Sequence, residues 1–458
     1  MTTNVIHKQG LPRRLPLLGH ALSFARDPLA FLETMHAVGD VVAIRLGLQT
    51  AYLINDPALV RRILVDATTF TRGVQAQRMR VILGNGIANA DGAQHLRNRR
   101  LVQPAFHRQR IAGYAEAMRQ ETEVMTNRWR EGRPVAVNDE ITEVTLRVVG
   151  RTLFSTDFGA ELVDEIVRSM PLILQGVGRR GRDPFGLLHV LPTAGNRRFN
   201  ASIERIRDVV DRMIQQYRAW GVDHGDMASM LLLSHDAETG QRLSDLEVRD
   251  EVITILVAGT ETTANTIAWV LHALGQRPDL TQRVNAEVDT VLGGQPVTID
   301  AVPKLELIRR LISESLRLYP QAWVLVRTPT VPVTLGVVDV PAGAVLLLPH
   351  YALNRDPAIY DDPAAFDPDR WAPDRLGEAV KPSFLPFGAG RHQCIGEAFA
   401  WTEAAIALAT VTQHWRLCPV PGQQVQINSL ATLKPTQLQM TPHRRVPALA
   451  ATAKRPAR

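Results

Sequence analysis

Residues 252–269, VITILVAGTETTANTIAW, are apolar on nearly every helical face. A helix of that kind has no side to show to water and must be buried. Ser244 and Glu247 form a capping-box pattern ahead of it, and Gly275 and Pro278 mark its end. The implied helix has about thirty residues and a length of roughly 45 Å. A rod of that size can be covered only by a large helical body, so this segment predicts a mainly α fold with one extended core.

The rest of the chain agrees. VVAIRLG and AYLIN read as early strands. AFHRQRIAGYAEAMRQETEVMTNRW and RFNASIERIRDVVDRMIQQYRAW carry apolar spacings of three and four, as helices do. VPVTL, VDVPAGAVLLLP and LATLKPTQLQM bring short strands back near the end. No linker, repeat or low-complexity block divides the sequence. The expected organisation is a flexible 1–10, a single domain over 11–442 and a basic, disordered tail over 443–458. The net charge of +6 is terminal in origin: residues 1–14 carry +3 and residues 443–458 carry +5, leaving −2 for the body. A nucleic-acid footprint therefore has little support. Two cysteines cannot build a disulfide framework, and no run of about eighteen apolar residues exists to anchor the chain in a membrane. A soluble protein of the cytoplasm is expected.

The middle of the long helix contradicts its surroundings. Gly259, Glu261 and three threonines interrupt the apolar run. Burying a carboxyl is costly, and glycine weakens a helix by about 1 kcal/mol. Two readings fit: a local kink in which hydroxyls bond the preceding turn's carbonyls, or an opened turn that faces a cofactor and manages protons.

A second anomaly is FLPFGAGRHQCIG, residues 384–396. Cys394 lies in a glycine-rich loop whose backbone amides can surround a thiolate and lower its pKa. Such a thiolate can ligate haem iron. Cys418 has no such surroundings and reads as structural.

The spacing Phe387, Gly390, His392, Cys394, Gly396 resembles the haem-binding signature of the cytochrome P450 family of haem-thiolate monooxygenases. The resemblance runs from LPLLGHALSF to LATLKPTQLQ. It implies a helix-rich lobe and a smaller β-containing lobe, with haem b between the long helix and the cysteine loop. Cys394 becomes the axial iron ligand, with Phe387, Gly388, His392 and Gly396 around the haem. Ala258-Gly259-Thr260-Glu261-Thr262 matches the family's oxygen-activating pattern. Thr262 would hydrogen-bond the oxygen under activation, and Glu261 would relay protons. Glu314, Arg317 and Arg370 correspond to a structural network behind the haem. His95 and Arg99, one helical turn apart, would join Arg327 and His392 on the propionates.

Ile82, Leu83, Ile87, Val257, Ala258, Trp323, Val324 and Leu325 are candidates for a substrate pocket with almost no charge, which favours a lipophilic substrate. Several stretches, among them RRLVQPAFHRQR and YDDPAAFDPDRW, are similar to bacterial terpenoid oxidases of the family. Hydroxylation or multistep oxidation of a cyclic sesquiterpene or diterpene is the leading expectation. A fatty acid, steroid or macrolide is the alternative substrate. A peroxide-driven peroxygenase and a haem sensor without turnover are the alternative functions. Electrons would come from NAD(P)H through a separate ferredoxin and its reductase, and O2 is the co-substrate. Arg97, Arg100, Arg108, Arg110 and Arg391 are candidates for the docking face.

Overall fold

The computed structural model describes residues 18–154, 158–181, 191–236, 238–378 and 380–445. The apolar segment is one unbroken helix, Asp245–Gln276. Ser244 and Glu247 cap it reciprocally: the Ser244 hydroxyl accepts from the Glu247 N–H, and the Glu247 carboxylate accepts from the Ser244 N–H. No turn is opened at Gly259–Thr262. The Thr260 and Thr262 hydroxyls donate to the carbonyls of Leu256 and Ala258, each at 2.7 Å. Back-bonding to the preceding turn thus absorbs the polar groups without breaking the helix. Gly259 serves the packing, since a Cβ there would lie 3.2 Å from Val149 Cγ2 of the neighbouring Val137–Leu153 helix.

Helices Arg108–Arg128, Val137–Leu153, Ala194–Trp220, Glu306–Leu318 and Glu397–His414 wrap the central rod and share one core with it. Trp269 anchors the far end. It is fully buried, stacks on Tyr319 at 3.8 Å, and donates from Nε1 to Leu433 O at 2.7 Å. Losing such a side chain costs about 3–5 kcal/mol.

A smaller lobe holds a five-stranded sheet in the order Val41–Leu46, Gln49–Ile54, Val345–Leu348, Leu325–Pro329, Phe70–Thr71. The first two strands form a hairpin, with Val41 opposite Ile54. Ala51–Leu53 then pair in parallel with Val345–Leu347, and Leu348 pairs antiparallel with Leu325. This sheet carries Arg327 toward the helical lobe.

At the C-terminus, strand Gln439–Arg444 joins Trp415–Pro419, with His443 opposite Arg416 and Arg444 opposite Trp415. Arg445 reaches Asp289 at 2.7 Å. Residues 443–445 therefore belong to the folded body, not to a disordered tail. The pairing capacity of the strand and a buried acid across the fold outweigh the local basic composition. The segments 1–17 and 446–458 lie outside the described residues.

Candidate functional site

The loop before the Glu397–His414 helix is shaped by two glycines with positive φ, Gly388 at 73° and Gly390 at 69°. A Cβ on Gly390 would stand 2.7 Å from Val65 Cα, so glycine is required there on both counts. Gly396 differs. It adopts φ −84° as the residue capping the helix, and a Cβ would meet Cys394 Sγ at an ordinary 3.9 Å. The Cys394 N–H donates to Phe387 O at 2.9 Å and closes the loop. The sulfur sits at a helix N-terminus, with the Gly396 N–H directed at it. Burial raises the thiol's pKa, while the Gly396 N–H and Arg99 oppose that rise. Cys394 is densely surrounded by protein yet open on one side, because it lines a cavity of about 470 Å³.

Thr262, Ala258 and Gly259 of the central helix line the same cavity, as do Phe387, Gly388, His392 and Gly396 of the loop. Leu83, Ile87 and Leu325 contribute apolar wall. Ile82, Val257, Trp323 and Val324 do not reach it. Ile82 and Val257 belong to the helical core, and Trp323 and Val324 to the core of the β lobe. Each neighbours a lining residue in sequence; the helix turns Ile82 and Val257 to the other side, and Trp323 and Val324 lie in the bend before the Leu325–Pro329 strand.

Glu261 also lies off the cavity wall. Burial raises its pKa, opposed by Lys434 and by the Thr432 hydroxyl. The carboxyl therefore points to the outer side of the helix, toward the partly exposed Lys434.

At one end of the cavity, arginines and histidines crowd together. His95 and His392 stack edge to face at 4.4 Å. Arg99 Nη1 donates to Arg391 O at 3.0 Å and Gln393 O at 2.7 Å, tying its helix to the cysteine loop. Arg327 is buried, and its Nε has no partner; neither does His392 Nδ1. Two further residues belong here that sequence reasoning missed. Arg72 donates to Ile87 O at 3.0 Å and to Ala90 O, and His350 is wholly buried with Nε2 unpartnered. Neither sits in a recognisable spacing, so only the fold reveals them.

The electrostatics show what this end lacks. Burial, then Arg72, Arg99 and Arg391, push His95 down to about 4. Burial, Arg72, His95, Arg327 and Arg99 push His392 down to about 2. Burial and Arg327 depress Arg72 to about 10, against the pull of Asp91. Asp91 is the acid that faces the cluster, 3.5 Å from His392. A group of buried donors that repel one another calls for anionic acceptors. Haem, with two carboxylates at one edge and an iron that takes a thiolate, fits this donor set and Cys394 together.

Behind the cysteine loop, Glu314 and Arg317 are completely buried and bonded in two places, at 2.9 and 2.7 Å. Arg370 Nε, Trp371 Nε1 and the Asp367 N–H also donate to the carboxylate, at 3.0, 2.8 and 2.9 Å. Arg317 also donates to three carbonyls, those of Asn354, Pro363 and Ala365. None of the three triad residues lines the cavity.

Fold and site together fit a helical haem-thiolate protein, with a cysteine on one loop and a hydroxyl-bearing helix on the same cavity. The family model "Cytochrome P450" matches residues 10–442. The chain belongs to the cytochrome P450 family and is one of its monooxygenases, with haem as cofactor and a lipophilic substrate, O2 and a redox partner as its reaction partners. It is 44% identical to cyclooctatin synthase of Streptomyces melanosporofaciens over 95% of both chains. It is 43% identical to that organism's cyclooctat-9-en-7-ol 5-monooxygenase over 90% of both. Pentalenene oxygenase of Streptomyces avermitilis is 39% identical over 92% of this chain and 94% of its own. Among solved structures, the cytochrome P450DA heme domain superposes with a TM-score of 0.85 at 26% identity, covering 95% of this chain and 97% of that one. No helix among the described residues is long and apolar enough to cross a membrane.

Proposed function

We propose that the protein hydroxylates, or oxidises in several steps, a cyclic terpene hydrocarbon or terpene alcohol of sesquiterpene or diterpene size. The observation that carries this reading is that Cys394 and Thr262 line one largely apolar cavity whose cationic groups form a single cluster. The names of the relatives, which act on cyclic terpenes, support the substrate class. Haem b, held by Cys394, supplies the activation of O2 with two electrons and two protons per turnover. Arg72, His95, Arg99, Arg327 and His392 hold its carboxylates. Phe387 covers the sulfur side and packs against Trp401, with ring centroids 6.1 Å apart. Leu83, Ile87, Ala258 and Leu325 exclude water and hold the hydrocarbon skeleton.

Thr262 Oγ1 is the group that passes a proton into the cavity. In the resting arrangement it donates to Ala258 O. Glu261 resupplies it from the outer side of the helix, where Thr432 and Lys434 lead to solvent. The electrons come from NAD(P)H through a ferredoxin reductase and a ferredoxin, in the cytoplasm. The test is a panel of terpene skeletons, fatty acids and macrolides, read by substrate-induced spectral shift and product analysis. Shifts and products with terpenes are expected. Turnover of fatty acids or macrolides with none for any terpene would overturn the substrate assignment.

A further inference from the structure

Residues 84–91 follow the Gly73–Leu83 helix and form one wall of the cavity through Ile87, Ala88 and Asn89. Two consecutive carboxylates of the central helix hold this wall by its backbone. The Asn85 N–H donates to Asp250 Oδ2 at 2.8 Å, and the Ile87 N–H donates to Glu251 Oε2 at 3.0 Å. Asn98 Nδ2 donates both to Glu251 Oε1 at 2.8 Å and to Asn85 O at 3.1 Å. From the other side, Arg72 holds Ile87 O and Ala90 O. The fit is close. A Cβ on Gly84 would fall 2.0 Å from Asp250 Oδ2, and one on Gly86 2.2 Å from Thr254 Oγ1. The helix that carries Thr262 therefore also grips the wall against which substrate would rest, about two to three turns away. The monooxygenase reading gives Asp250 and Glu251 no task.

We infer that Asp250 and Glu251 are positioning residues that latch the 84–91 wall to the central helix, and that Glu251 makes the latch loosen as pH rises. The inference rests on the reading that this cavity receives substrate.

The sign follows from the surroundings of Glu251. Burial raises its carboxyl to about 7, although two N–H donors pull it down. Asp250 and Glu247, on the same helix, add to the rise. The groups facing it from the wall and from the Gly92–Val102 helix, the Ile87 N–H and the Asn98 amide, are neutral. The nearby cations serve other acids: Arg97 pairs with Glu247, while Arg249 and Arg207 act on Asp250. Once the wall lifts and water enters, the carboxyl returns toward its ordinary 4.5. Closing the latch thus takes up a proton. Between pH 6 and 8 the opening constant should rise about tenfold. Substrate admission is favoured at the upper end of that range, and retention at the lower.

Hydrogen exchange of the 84–91 backbone, measured on the haem-loaded full chain and corrected for intrinsic exchange, tests this. Wild type should lose about tenfold in protection from pH 6 to 8. Glu251→Gln should abolish that slope. Asp250→Asn should leave a Glu251-dependent slope, with its transition moved to lower pH because one neighbouring negative charge is gone, while lowering protection at Asn85. Should Glu251→Gln fail to take up haem, Asn98→Ala serves instead: removing one donor should move the transition to higher pH. A flat wild-type profile, a slope that survives Glu251→Gln, or an unmoved transition in Asn98→Ala would each overturn the latch. The spectrum of the reduced carbon monoxide complex separates this from the functional reading. A thiolate-type spectrum with flat exchange overturns the latch alone, whereas its loss in wild type removes the monooxygenase reading.

Discussion

Glu314 and Arg317 stand one turn apart on the Glu306–Leu318 helix, both fully buried, and bond through both carboxylate oxygens. A pair of charges taken out of water gains little by itself, but removing one partner strands the other. Arg317 would then remain as a buried cation among three carbonyls. Glu314→Ala should therefore cost about 3–5 kcal/mol, enough to abolish haem uptake on expression. Arg317→Lys should fail as well, because an ammonium cannot serve the carboxylate bidentately and reach the carbonyls too. Haem content of the purified soluble fraction is the measurement; near-normal loading in either variant would show that the network is dispensable.

Gly390→Ala should lower the stability of the cysteine loop by about 1–3 kcal/mol. The added methyl forces a left-handed residue against Val65. Gly396→Ala, with ordinary φ and only van der Waals contacts at 3.8–3.9 Å, should be mild. Comparing the thermal midpoints of the two haem-loaded variants checks the distinction. Equal effects would contradict the geometry.

The parts legible in sequence are those held in short spacings. The ten-residue cysteine signature, the Ala258–Thr262 pattern and the Glu314–Arg317 turn each bring their groups together locally, so linear spacing predicts spatial neighbours. Arg72, His350 and the Asp250–Glu251 grip on residues 84–91 were not legible. Each acquires its role only when segments far apart in sequence are packed together. That four of the substrate candidates lie off the cavity wall has the same root. Choosing between Ile82 and Leu83, or between Val257 and Ala258, requires the rotation of a helix about its axis, and an apolar run on a buried helix carries no such phase.

Thr262→Ala should uncouple electron transfer from oxygenation. In the proposed relay, a proton from Glu261 would then have no carrier at the cavity wall. Product per NAD(P)H consumed should fall about tenfold or more, with the substrate-induced spectral shift retained. Glu261→Gln should slow turnover and enlarge the solvent isotope effect. Full coupling in Thr262→Ala would refute the assigned relay.

The docking arginines separate into two kinds, and Arg110, partly buried and donating to Gly225 O at 3.1 Å, falls with those engaged in the fold. Arg97 is held by Glu247 at 2.7 Å and Arg100 by Asp236 at 2.8 Å, so both are engaged within the fold. Arg108 and Arg391 are exposed and enter no ion pair among the described residues. Reversing Arg108 or Arg391 should slow reduction by an acidic ferredoxin about tenfold at low salt, with the difference shrinking as salt screens it. Arg97→Glu should instead lower the thermal midpoint, because it sets two carboxylates against each other. Reduction rates unchanged at every salt concentration would remove this face from the docking reaction.

Glu403, on the Glu397–His414 helix, is completely enclosed, with Thr263 of the central helix as the polar group beside it. Burial raises its carboxyl well above the ordinary 4.5, so the folded protein keeps a proton that the unfolded chain releases. The stability this group contributes is full below that value and declines as pH rises toward the folded pKa, by about 1.4 kcal/mol per pH unit. Glutamine has no proton to lose. Whatever constant difference Glu403→Gln introduces in packing or hydrogen bonding, its thermal midpoint relative to wild type should climb steadily between pH 5.5 and 7.5. A difference that stays flat across that range would mean that the native carboxyl is already ionised, and that a cation or ordered water stabilises it between the two helices.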